Sequence, residues 1–256
     1  AITIFSSIAE RDKTQAVEKL ITGSTPSQDF FLMVILSVLM ATFGLLQDSG
    51  AVIIGSMLIA PILHPILSFS LGLTMLDGKL ILRSLITVIF SVVLGVLCAA
   101  AAGLILGIHS VRYTAEILTR TEVSSLHLAI AVVAGLSASF ALVKEKLSET
   151  IPGIAISVAL IPPLGVTGIG LAAADWFVVA ASFSIFILNT VGVIGSSFLV
   201  FMMMHISVKR SKADKTIKEE DKKLKRDQKK AEITTKRKPK KRKKKTSFLS
   251  KVVGKI

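Results

Sequence analysis

Long apolar runs, almost free of charge, limit what this chain can become more than any other feature. Residues 30–46, 51–75, 80–108, 126–143, 151–174 and 176–204 are such runs. Each reaches, or nearly reaches, the roughly 20 residues that a helix needs to span a bilayer. Hydrophobic residues make up 52 % of the 256, and they cluster in these runs instead of spreading evenly. The expected fold is therefore all-α, a polytopic membrane protein with six transmembrane helices.

Prolines interrupt two of the runs. Pro61 and Pro65 fall in the second, and Pro162 and Pro163 fall about one hundred residues later in the fifth. A proline has no N–H and clashes with the carbonyl four residues back, so it bends or breaks a helix. Lipid cannot satisfy the freed groups, and such a break survives only where protein or a water-filled cavity supplies partners. Paired breaks in two halves are a sequence pointer to a transport site. At an offset of 97 residues, 41–46 (ATFGLL) lies over 138–143 (ASFALV), and Gly95-Val96 over Gly192-Val193. A four-residue insertion between these anchors brings Ser56 over Ser157 and Pro61 over Pro162. Each half then holds three spans, and an odd number forces the second half in upside down: two inverted three-helix repeats with broken second helices. The implied divisions are a cytoplasmic amphipathic segment (1–28), a first three-span unit (29–108), an external loop (109–125), a second unit (126–205) and a basic tail (206–256).

The densest stretch of unusual residues is Gln47-Asp48-Ser49-Gly50-Ala51-Val52-Ile53-Ile54-Gly55-Ser56-Met57-Leu58-Ile59-Ala60-Pro61-Ile62-Leu63-His64-Pro65. Asp48 or Ser49 is suited to cap the second span, because a short side-chain oxygen accepts from orphan donors of a first turn. Gly50, Gly55 and Ser56 leave room for a neighbouring helix. The Asp48-Ser49 pair, the string from Ala51 to Pro61, Pro65-Ile66 and Ile156-Ser157-Val158-Ala159-Leu160-Ile161-Pro162-Pro163 together resemble the domain of unknown function 389 family, hydrophobic membrane proteins of bacteria and archaea. The resemblance covers about residues 29–204. It implies a multi-span membrane protein and supplies no established substrate. Family members often look as if a soluble domain precedes the spans, so this short lead reads as a reduced member or a fragment.

The candidate path residues are Asp48, Ser49, Ser56, Pro61, His64, Pro65, Ser157, Pro162, Pro163, Thr167 and Asn189. Each has a plainer reading. Asp48 is either an intramembrane carboxylate, which is usually functional, or a water-facing cap at the membrane edge. His64 is either a packed, hydrogen-bonded histidine or a site residue that titrates near neutrality when water reaches it. Asn189 either joins two helices or lines a path. The run 165–170 (GVTGIG) has the small residues of an unwound segment, and no strand precedes it as a nucleotide fingerprint requires. No Walker loop, zinc motif, paired Cys or Ser-His-Asp set is recognisable, so an enzyme is not expected, and neither a cofactor nor a metal. Cys98 has no partner for a disulfide and reads as packing. No secretory signal peptide is visible in residues 1–28, and the chain begins without Met, which leaves open whether sequence precedes it.

The net charge of +14 lies in the tail. From Ile206 onward there are 22 Lys or Arg against 6 Asp or Glu, and the first 205 residues hold 9 against 11. Positive loops favour both termini in the cytoplasm, with Arg11, Lys13, Lys19, Lys79, Arg83, Lys144 and Lys146 inside and only Arg112 and Arg120 outside. The expected location is the cell membrane. Residues 110–125 fit a surface helix or a plain loop equally. The polybasic cluster Lys236, Arg237, Lys238, Lys240, Lys241, Arg242, Lys243, Lys244 and Lys245 precedes an amphipathic end built on Phe248, Leu249, Val252, Val253 and Ile256. It suits anionic lipid headgroups of the inner leaflet. Nucleic acid would bind the same charges through phosphates, and a solvated tail is the plain reading. Two functions compete. One is a transporter or channel for a small solute or ion, completed by homo-oligomer contacts through small residues such as 135–139. The other is a membrane-anchored scaffold whose tail binds anionic lipid, nucleic acid or an acidic protein.

Overall fold

The structure, a computed structural model, describes residues 10–107, 113–144, 160–204, 206 and 210–237. Among them the secondary structure is entirely helical. The order is α1 (Glu10–Gly23), α2 (Gln28–Leu46), α3 (Gly50–Ile59), α4 (Leu63–Met75), α5 (Gly78–Ile105), α6 (Ala115–Leu118), α7 (Ser125–Val143), α8 (Ile161–Ala172), α9 (Trp176–Met203) and α10 (Arg210–Arg237). Two compact units divide the chain, Ala1–Thr216 and Ile217–Ile256.

Helices α2, α5, α7 and α9 are long and apolar enough to cross a membrane. The pair α3 and α4, bent by 51° at a short break, makes a fifth crossing when taken as one broken span. At 12 residues α8 is too short to cross alone, and the earlier part of the fifth apolar run lies outside the described residues. The outward faces are apolar, as a bilayer requires: on α5, Leu82, Ile89, Phe90, Val93 and Leu97 are all half or more exposed. Inward faces carry small and hydroxylic residues instead, which lets backbones approach where lipid provides no hydrophobic drive. On α5 the buried stripe runs Ser84, Thr87, Ser91, Gly95 and Ala99. A Cβ added at Gly168 of α8 would lie 2.4 Å from Ala99 Cβ, 2.7 Å from the Val96 carbonyl oxygen and 2.8 Å from the Ala100 nitrogen. In the same way, one at Gly135 of α7 would meet Val193 of α9 at 2.9 Å.

The amphipathic lead is α1, which buries Ala16, Val17, Leu20 and Ile21 and packs on α4 and α7. Its carbonyl ends are taken by hydroxyls. Ser68 Oγ donates to the Leu20 carbonyl (2.9 Å), and Ser24 and Thr25 donate back to that of Ile21 (3.1 and 2.9 Å). Arg83 Nη2 then donates to Thr25 Oγ1 at 2.9 Å, tying α5 to this end. Ser27 caps α2 by accepting from the Phe30 N–H.

Three connections share one device. In each, a left-handed non-glycine residue closes one helix and the next residue opens another: Asp48 (φ 54°), Leu76 (φ 51°) and Ala174 (φ 56°). The N–H of the opening residue donates to a glycine carbonyl five back: Ser49 to Gly44 (2.9 Å), Asp77 to Gly72 (3.0 Å) and Asp175 to Gly170 (2.9 Å). The left-handed residue donates to the carbonyl three back, at 3.2 to 3.3 Å. This is the Schellman pattern, which satisfies the last carbonyls of a helix. Glycine is needed at the carbonyl position because the next helix crosses there. A Cβ on Gly44, Gly72 or Gly170 would lie 3.0, 3.0 and 3.1 Å from the backbone nitrogens of Ile53, Ile81 and Val179.

The last two corners correspond at an offset of 98 residues: Gly72 with Gly170, Leu76 with Ala174, Asp77 with Asp175 and Ile81 with Val179. The helices that follow, α5 and α9, are each 28 residues long. Both aspartates cap in the same way. Asp77 Oδ1 accepts from the N–H groups of Lys79 and Leu80 (3.0 and 3.3 Å), and Asp175 Oδ1 from those of Phe177 and Val178 (3.1 and 3.2 Å).

Candidate functional site

The break between α3 and α4 begins with what Pro61 removes. Without its N–H, the Met57 carbonyl turns to the N–H of Ala60 at a long 3.4 Å. The Ser56 carbonyl, one residue earlier, receives Ser37 Oγ of α2 at 2.8 Å, an interhelical bond that replaces the missing helical one. The Pro61 carbonyl accepts from the His64 N–H at 3.3 Å. Among the described residues no donor is placed on the carbonyls of Leu58, Ile59 or Ala60. Pro65 stands in the first turn of α4, where a missing N–H removes no helical bond.

The start of α8 faces this break. Pro162 and Pro163 occupy the first described turn of α8, a position proline favours. A small cavity of about 10 Å3 lies between the two elements, lined by Met57, Ala60, Ile62 and Leu63 from the break and by Leu160 and Ile161 at the start of α8. That volume holds about one water-sized occupant. All the lining side chains are apolar, so polar contacts within it come from backbone. The proline-marked segments therefore meet.

The other predicted residues are distributed unevenly around this point. Ser56 is buried and its hydroxyl donates to the Ile53 carbonyl at 2.6 Å, so it serves helix packing. The His64 ring lies over the end of α1, since a Cβ at Gly23 would be 2.8 Å from His64 Cδ2. It is not among the residues lining the cavity. Thr167 is buried, donates to the Pro163 carbonyl (2.7 Å) and shares a 2.9 Å bond with Ser182 of α9. Asn189 is 2 % exposed on α9. Ser70 Oγ on α4 donates to the Ile194 carbonyl of α9 (3.0 Å). Ser157 lies outside the described residues, as do Lys238, Lys240, Lys241, Arg242, Lys243, Lys244 and Lys245; Lys236 and Arg237 end α10.

Asp48 and Ser49 are at the end of the bundle, away from the cavity. Ser49 holds the cap position of α3 but its side chain makes no cap bond. Asp48 is exposed, and its Oδ1 accepts from the Glu116 N–H at 2.8 Å. This places it as an edge residue that anchors the segment between α5 and α7. That segment holds two more anchors. Thr114 Oγ1 donates to the Leu45 carbonyl (2.7 Å), and Tyr113 Oη donates to Asp175 Oδ2 (3.0 Å). Burial, and then the bond to Asp175 and its charge, push the Tyr113 phenol up to about 12. Ile117, on the single turn of α6, is 1 % exposed and packs with Leu45, Ile53, Met57, Val166, Ile169 and Val178. Tyr113, Ile117 and Asp175 went unmarked in the sequence; the signal available was an aspartate after an apolar run, repeated at 77 and 175. Among the described residues, no group of three or more His, Cys, Asp or Glu gathers to hold a metal ion.

Among the described residues, four helices, or five with the bent pair taken as one span, are long and apolar enough to cross a membrane, which is compatible with a membrane protein. The family model described as Domain of unknown function (DUF389) matches residues 57–195, more than half of the chain, and the chain belongs to that family. An uncharacterized protein of Methanocaldococcus jannaschii is 33 % identical over 184 residues, covering 71 % of this chain and 56 % of the relative. The chain thus spans little more than half the length of this curated relative. No solved structure matches it.

Proposed function

We propose that this protein is an integral membrane transporter or channel for a small solute or ion, with its path running through the cavity where the α3–α4 break meets the start of α8. The observation that carries the reading is that cavity, with Met57, Ala60, Ile62 and Leu63 on one side and Leu160 and Ile161 on the other. Its walls have no charge, and the polar groups beside it are main-chain carbonyls at the end of α3, where the helix dipole is negative. An occupant of water size that sheds its hydration and is held by carbonyls fits this site: a monovalent cation or a small neutral molecule.

The six-span, inverted-repeat architecture belongs to the same proposal. It is supported by the 98-residue correspondence of the last two corners and by the matched lengths of α2 with α7 (19 residues each) and α5 with α9. Counted back from those corners, α4 corresponds to α8 and Pro65 to Pro163, so no insertion is required in this stretch. The counterpart of α3 then falls in 148–157, outside the described residues. The positive-charge distribution favours cytoplasmic termini in a cell membrane. A homo-oligomer completes the assembly, and the polybasic tail binds anionic headgroups on that side.

The test is flux in proteoliposomes with a panel of Na+, K+, ammonium, urea and glycerol. Pro61→Ala restores the missing N–H and straightens the break, and is expected to abolish flux. Pro162→Ala, in a first turn, is expected to leave most of it. Flux in Pro61→Ala vesicles equal to that of the parent would falsify the broken-helix path.

A further inference from the structure

Resting on the transport reading above, we propose that residues 113–120 form a gate over the path at the Asp48 and Asp175 end, closed in this structure, with Ile117 as its plug. The segment connects the two halves, and its attachments are few and specific. Tyr113 donates to Asp175 on the α8–α9 corner. The Glu116 N–H donates to Asp48, and Thr114 to the Leu45 carbonyl, both on the α2–α3 corner. One half supplies one latch and the other half supplies two.

What lies beneath is the reason to assign a gate. Ile117 is buried in one apolar cluster with Ile53 and Met57 of α3 and Val166 and Ile169 of α8. Met57 belongs to this apolar cluster and also lines the cavity. One continuous apolar cluster therefore reaches from Ile117 to the cavity wall. A four-residue helix has no core of its own, so its position depends on the latches and the one inserted isoleucine. Any displacement of one corner relative to the other stretches a latch, which couples the plug to movement between the halves. The carboxylate latches are hydrogen bonds to carboxylate oxygens, the Glu116–Asp48 bond exposed and the Tyr113–Asp175 bond part-buried.

The experiment reads access to the cavity. In a Cys98→Ala background, Met57→Cys is labelled in proteoliposomes with a membrane-impermeant methanethiosulfonate. Tyr113→Phe deletes one latch, and Asp48→Gly deletes another while suiting the left-handed turn at that position. With both latches removed, labelling is expected to accelerate by about tenfold or more, the factor set by losing one to two hydrogen bonds. Ala60→Cys, which lines the same cavity, replaces Met57→Cys if that variant does not fold. Separately, Glu116→Cys with Gly50→Cys is oxidised to a disulfide or bridged by a short thiol cross-linker. The pair is suitable because Glu116 Oε1 is 3.0 Å from where a Cβ at Gly50 would be. Closing the pair is expected to stop flux of the panel, and reduction to restore it. Equal labelling rates with and without latches overturn the gate, whatever the flux. If the parent passes no solute while labelling still accelerates, the transport reading fails and the movable plug stands.

Discussion

The corner between α4 and α5 and the corner between α8 and α9 are built by the same local chemistry, but differ in what lies over them. Both close with a left-handed residue, both use a glycine to admit the next helix, and both cap that helix with an aspartate Oδ1. At the first, Asp77 is 2 % exposed and its Oδ2 is buried without a hydrogen-bond partner among the described residues. At the second, Asp175 Oδ2 receives the Tyr113 hydroxyl. The backbone device is common to both, and the use of the spare carboxylate oxygen is what distinguishes them. Structural equivalence therefore belongs to the turn, and functional difference to the segment that the turn holds.

The sharpest test of equivalence is the glycine. Gly72→Ala and Gly170→Ala each drive a Cβ against the backbone nitrogen of the next helix, and overpacking of this kind costs about 1–3 kcal/mol. The two losses, measured by unfolding in detergent, should agree within about 0.5 kcal/mol, the margin for independent sites. A gap beyond 1 kcal/mol, by the same standard of additivity, breaks the equivalence. Next in size is the aspartate. Asp77→Ala and Asp175→Ala both lose a cap worth about 1 kcal/mol. Asp175→Ala should lose roughly 1 kcal/mol more with the Tyr113 bond, discounted for its partial exposure. Equal losses would mean that the latch holds nothing.

The smallest effect is a titration. Tyr113 is the one tyrosine, so alkaline absorbance reports it alone. Its folded value of about 12 lies above the ordinary value of 10. The neutral phenol is thus favoured in the folded protein. Its contribution is complete below about pH 10 and disappears as pH rises toward 12. Asp175→Asn should draw the midpoint back toward 10; an unmoved midpoint separates Tyr113 from Asp175.

The helices were legible because apolar runs of bilayer length leave few alternatives, and the bend at Pro61 followed from a missing donor. The cavity was not, because Met57, Ile62, Leu160 and Ile161 have the same composition as lipid-facing neighbours such as Leu58. The corners escaped for a different reason. The usual sign of a Schellman turn is glycine at the left-handed position, and here Asp48, Leu76 and Ala174 occupy it while glycine stands four residues earlier. Residues 110–125 left helix and loop undecided, and among the described residues of this stretch, 113–125, there is one helical turn, Ala115–Leu118, capped by Thr114. Local propensity cannot choose when the anchors are Asp48 and Asp175, each about 60 or more residues away in sequence. Asp48, read as either a path carboxylate or a water-facing residue at the membrane edge, is exposed at the bundle end, and its carboxylate accepts from the connecting segment at the Glu116 N–H.

The fit of Gly168 against Ala99 has a mechanical consequence. Backbones that touch at a missing methyl group have no slack to slide, so α5 and α8 behave as one stiff plank. The α3–α4 elbow has no such lock: among the described residues the carbonyls of Leu58, Ile59 and Ala60 receive no donor, so any bending between these elements is concentrated there.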